Sequence, residues 1–96
     1  MDSSKYPVPH PQVAARVVDG EAVIILADSG EVNVLNPVGT RIWELTDGTR
    51  TVQQIADTIV AEYDVTPEAA LQDVTEFLQE LVDTSMLTLQ DKAQIS

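Results

Sequence analysis

The chain has 96 residues and a mass of 10.4 kDa, room for one small hydrophobic core and no second domain. Sixteen acidic residues against five basic ones give a formal charge of −11. Nucleic-acid binders and anionic-membrane binders neutralise phosphates with clustered Lys and Arg, so that balance argues against both. With no cysteine there is no disulfide scaffold, zinc ribbon, iron–sulfur site or thiol nucleophile. No apolar run approaches the length of a membrane span, and the opening residues do not read as a signal peptide. The expectation is a cytoplasmic protein. The charge is also uneven: from Thr51 to Asp91 there are nine acids and no base, so the second half favours cationic partners.

In chain order, Pro7, Pro9 and Pro11 stand at every second position and remove backbone donors, which predicts a flexible extended arm over residues 1–12. A single domain is expected over residues 13–90, with a frayed tail over 91–96. Residues 13–18 are β-rich and end at Asp19-Gly20, a dipeptide made for a two-residue hairpin turn. Residues 22–27 form an apolar run of strand length, Asp28-Ser29-Gly30 is the next turn, and residues 31–35 begin as an alternating strand. These three strands read as a meander.

Asn36-Pro37 then switches the chain to helix, with Asn36 as N-cap and Pro37 at the first helical position. Thr46-Asp47-Gly48 stops that helix. Thr51 and Gln54 have the spacing of a capping box ahead of Val52, Ile55, Ala56, Ile59 and Tyr63. Thr66-Pro67 starts the longest helix, about residues 67–84, with Leu71, Val74, Leu78 and Leu81 as its stripe, widened by Ala70 and Phe77. Residues 86–89 suit a short closing strand. The order predicts an α+β domain, a three-stranded antiparallel meander followed by three helices, compatible with a winged helix–turn–helix.

Catalytic constellations are not evident. His10, the sole histidine, falls in the proline-rich arm and reads as a solvated residue. Ser29 lies between two strands, not at the helix start where a phosphopantetheine carrier places its serine, and no histidine stands near to activate it. Glu62-Tyr63-Asp64 runs into Val65-Thr66-Pro67 and lacks the alternating oxygen ligands of a calcium loop. The four glycines are isolated, which excludes a phosphate-cradling loop. The expectation is no catalytic residue, no metal and no cofactor. What the pattern offers is a surface. Residues 31–35 end the meander without Pro or Lys, so unless residues 86–89 or another chain cover it, the strand leaves an edge open to an extended peptide.

The order of Leu35-Asn36-Pro37, Ile42-Trp43-Glu44-Leu45, Asp47-Gly48-Thr49-Arg50-Thr51-Val52 and Ile55-Ala56 resembles the PqqD family. The likeness runs from about residue 11 to residue 89, through Val17-Val18-Asp19-Gly20-Glu21 and the later Asp73-Val74, Phe77-Leu78 and Leu81. These are small chaperones of pyrroloquinoline quinone biosynthesis. The same fold recognises precursor peptides of many ribosomally made, post-translationally modified peptides. The resemblance implies three strands packed on three helices, no catalysis, and a leader peptide added as a strand beside the third strand and third helix. It implies presentation to a peptide-modifying enzyme, of the radical S-adenosylmethionine type in the pyrroloquinoline quinone pathway. Carried over by position, the peptide-binding residues are Glu31, Val32, Asn33, Val34 and Leu35 on the edge, with Leu71, Val74, Phe77, Leu78 and Leu81 on the helix. Which parity of the edge points its N–H groups outward stays open, as does the division of the helix residues between groove and core. Acids along that helix favour a leader with Lys or Arg flanking its apolar anchors. The chain is expected as monomer or homodimer; the competing readings are a winged-helix regulator and a self-assembling structural protein.

Overall fold

The structure is a computed structural model that describes residues 1–27 and 29–93. Its elements are β1 (Tyr6–Pro9), β2 (Val13–Val18), β3 (Glu21–Leu26), β4 (Glu31–Val34), α1 (Pro37–Leu45), α2 (Val52–Glu62), α3 (Pro67–Asp83) and β5 (Leu87–Gln90). β2, β3 and β4 form an antiparallel meander in that order, followed by three helices as the sequence predicts. Asp19 and Gly20 both adopt positive φ, 54° and 80°, the pairing that lets a two-residue turn follow the right-handed twist of its strands. The turn after β3 includes Asp28, which lies outside the described residues, as do residues 94–96 of the expected tail.

The sheet is buried on one face only. Ala22, Ile24 and Leu26 point toward the helices and are nearly inaccessible, joined there by Ile42, Ile55 and Leu78. The outer face leaves Val18, Ile25, Val32 and Val34 exposed. All three helices start as their capping residues predict. Asn36, Thr51 and Thr66 each accept a backbone N–H from three residues on, and Thr51 and Gln54 close a full capping box. α1 and α2 are tied by a two-pronged ion pair, Arg41 Nε and Nη2 to the Glu62 carboxylate at 2.7 and 2.6 Å.

Residues 1–12 depart from the expected flexible arm. β1 pairs antiparallel with β5, and the His10 N–H donates to the Met86 carbonyl at 2.9 Å. In that register Tyr6, Val8 and His10 turn their main-chain groups toward β5, while Pro7 and Pro9 fall at the alternate positions that face away. A spacing of two therefore puts the prolines' missing donors on the outer side of a two-stranded sheet, where they blunt the edge and cost no pairing. Pro7 itself is buried. The arm also serves α2: the Lys5 and Ser3 carbonyls accept from the Val52 and Gln53 N–H groups, both at 3.0 Å, donors that an isolated helix start leaves unpaired. Lys5 pairs with Asp91 across the chain termini.

Candidate functional site at the open edge of the sheet

Among the described residues β4 has one strand neighbour, β3, because β5 pairs with β1 in a separate sheet. The orientation of its outer side follows from the register. Asn33 lies opposite Ile24 and Val34 opposite Val23, and just beyond the strand the Leu35 N–H donates to the Ala22 carbonyl at 2.8 Å. Bonded and non-bonded pairs alternate in an antiparallel ladder. Glu31, Asn33 and Leu35 therefore turn their main-chain groups inward to β3. Val32 and Val34 turn theirs outward, presenting a spaced pair of N–H and C=O groups at the open edge.

Side chains alternate in the perpendicular sense. Val32 and Val34 stand on the outer face, 56% and 65% exposed. Asn33 points under the sheet, where its amide Nδ2 lies 3.3 Å from the Met86 sulfur. A cavity of about 190 Å³ runs beside the edge, between Asn33, Val34, Leu35 and Asn36 on one wall and Phe77, Glu80 and Leu81 of α3 on the other. The structure thus brings five of the expected residues together there: Asn33, Val34, Leu35, Phe77 and Leu81. Glu31 and Val32 continue the edge outside the cavity. Val74 and Leu78 are fully buried in the core, and Leu71 is half-buried against it, away from the cavity.

Two residues enter the site that sequence reasoning passed over. Asn36 reads as an N-cap, and it is one: its side-chain oxygen accepts the Gly39 N–H at 2.7 Å. The same side chain also lines the cavity. Glu80 falls off the apolar stripe of α3. Helical spacing from Asp73 through Phe77 to Glu80 marks a second stripe, one position round from the core-facing Val74, Leu78 and Leu81. That stripe was the available signal. Asp73 lines a neighbouring cavity of about 330 Å³ with Asn36, Val38, Gly39, Ile42 and Phe77.

Chemically, the edge can exchange main-chain hydrogen bonds with an extended chain, and the groove can take alternate side chains of that chain. Among the described residues no group of three or more His, Cys, Asp or Glu side chains is placed to hold a metal ion, and no helix is long and apolar enough to cross a membrane.

The fold and the edge define a small α+β domain of winged helix–turn–helix type whose last meander strand keeps one open edge, among the described residues, beside its last long helix. The family model described as coenzyme PQQ synthesis protein D (PqqD) matches residues 21–87, and the chain belongs to that family. No curated protein sequence matches the chain. Among solved structures, TbiB1 in complex with the TbiA(beta) leader peptide is similar with a TM-score of 0.79 and 30% identity, over 83% of this chain and 93% of that one. A lasso peptide synthetase B1 complexed with the leader peptide has the same TM-score at 20% identity, over 86% of this chain and 98% of that one, a likeness of fold.

Proposed function

We propose that this protein is a non-catalytic adaptor of modified-peptide biosynthesis. It binds the leader of a precursor peptide as a strand added to β4 and presents the peptide to a modifying enzyme, a radical S-adenosylmethionine enzyme where the product is pyrroloquinoline quinone. The observation that carries this reading is the outward pair Val32 and Val34 at an unpaired edge, directly beside the cavity under Phe77 and Leu81. Two related facts support it: membership of the PqqD family, and the leader peptide bound in the structure of TbiB1. Edge addition supplies affinity through main-chain bonds that are indifferent to sequence, and the cavity supplies selectivity. Ordering a flexible leader costs about 2–5 kcal/mol, so a groove of this size gives roughly micromolar binding.

The test is an amide NMR titration with the N-terminal half of a short precursor encoded beside this gene. Shifts gathered on residues 31–36 and 73–81 are the expected result. Shifts gathered on the β1–β5 sheet or α2 overturn the reading. The exposed face of Val18, Ile25, Val32 and Val34 favours a second reading, homodimer formation through the outer side of the sheet. Light scattering over a concentration series separates the two, since only the second changes the size of the free protein.

A further inference from the structure

Phe77 stands between two cavities. It lines the one at the β4 edge and the larger one bounded by Val38, Gly39, Ile42 and Asp73, and Asn36 is common to both. The ring reaches across to α1. A Cβ placed on Gly39 would lie 3.2 Å from Phe77 Cε1 and 3.2 Å from Asn36 Oδ1, tighter than an ordinary contact. Glycine therefore lets the start of α1 close against the ring, and Phe77 with Gly39 forms a low wall across a single groove.

The second cavity has its own chemistry. Val38, Ile42 and Phe77 give it apolar walls, and Asp73 supplies its one ionisable group. The Asp73 carboxylate has no hydrogen-bond or ion-pair partner among the described residues. Asp73 is exposed at the cavity's rim, so an aliphatic side chain would leave its carboxylate to water and gain nothing from its charge. A lysine or arginine would lay its methylene stem along Val38 and the Phe77 ring and bring its charge to Asp73.

We infer that the cavity between α1 and α3 is a subsite for a lysine or arginine of the bound peptide, and that Phe77 and Gly39 set its distance from the anchor at the β4 edge. This rests on the strand-addition reading and adds to it the residue class read at the second position.

A random linear peptide library displayed on phage, selected on the wild-type protein and on Asp73→Asn, tests it. Wild type is expected to enrich an apolar anchor with a basic residue at one fixed spacing. Asp73→Asn is expected to keep the anchor and lose the basic residue. A synthetic peptide from the wild-type pool should bind Asp73→Asn about three- to fivefold more weakly, the size of a partly exposed charge pair. Its lysine-to-norleucine form should bind both proteins equally. Gly39→Ala, its fold checked by urea unfolding because the new methyl also presses on the Asn36 cap, should relax the fixed spacing as the ring is displaced. Basic enrichment that survives Asp73→Asn overturns the subsite while leaving strand addition standing. A wild-type selection that yields no consensus, or peptides that bind away from β4 by NMR, overturns strand addition itself.

Discussion

The Ala22 N–H donates to Thr40 Oγ1 at 2.8 Å, a bond from the start of β3 to a buried hydroxyl on α1. In a continued ladder that donor would belong to the Leu35 carbonyl opposite. The chain has already turned into Asn36-Pro37 there, and the Thr40 hydroxyl instead approaches the Leu35 carbonyl at 3.4 Å. One side chain thus ends β4, satisfies a buried donor and docks α1 beside the edge. Thr40→Val keeps the volume and strands the Ala22 N–H, so it should cost about 1–3 kcal/mol in urea unfolding. Thr40→Ser should recover most of the loss.

The two faces of β4 differ in what a proline would break. Val34→Pro removes an outward donor and should leave the unfolding midpoint close to wild type. Leader affinity by calorimetry should fall about fivefold, the worth of one main-chain hydrogen bond. Asn33→Pro removes a donor that bonds β3 and should lower stability first. Equal affinity for wild type and Val34→Pro would exclude strand addition at this edge.

Adjacent residues of α3 should separate folding from binding. Leu78 is fully buried, so Leu78→Ala should cost about 3 kcal/mol in chemical denaturation. Phe77 is half-buried on the groove side, and Phe77→Ala should weaken peptide binding with a much smaller loss of stability.

The end of α3 carries a removable strain. Ser85 holds φ at 63°, its N–H donates to the Val82 carbonyl, and the Met86 N–H donates to the Leu81 carbonyl at 2.8 Å. This is a Schellman cap with serine where glycine is preferred. Ser85→Gly should raise stability by about 1 kcal/mol, read as a higher urea midpoint.

Acid should remove stability that the Asp47 and Glu62 carboxylates supply. A hydrogen bond from the Thr49 hydroxyl holds the Asp47 carboxyl below its usual range, and the Arg41 guanidinium does the same for Glu62. A depressed folded-state pKa stabilises above the unfolded value and is lost as pH falls through the folded one. The urea midpoint should therefore drop as pH falls below the ordinary carboxylate range. Thr49→Val should flatten that dependence, and an unchanged acid limb would rule out the contribution of Asp47.

Local chemistry made much of the fold readable. Asp19-Gly20, Asn36-Pro37, the Thr51 and Gln54 box and Thr66-Pro67 act within four residues of themselves, so no distant partner is needed to predict them. The core of α3 was equally visible as periodicity, yet periodicity alone left Val74 and Leu78 with Phe77 on one broad apolar stripe. Which side of a helix meets a sheet and which meets a groove depends on where β4 lies, and that is a long-range fact.

Local patterns of residues set the meander, the three helix starts, the charge and the suspicion of an open edge. That residues 6–9 pair with β5, so that β4 has no second strand neighbour among the described residues, is set by the long-range fold, because strand pairing across more than seventy residues leaves no mark on local composition. The long-range fold also decides that Val32 and Val34 face outward. Parity is a property of the register between two strands, and a single strand does not contain it.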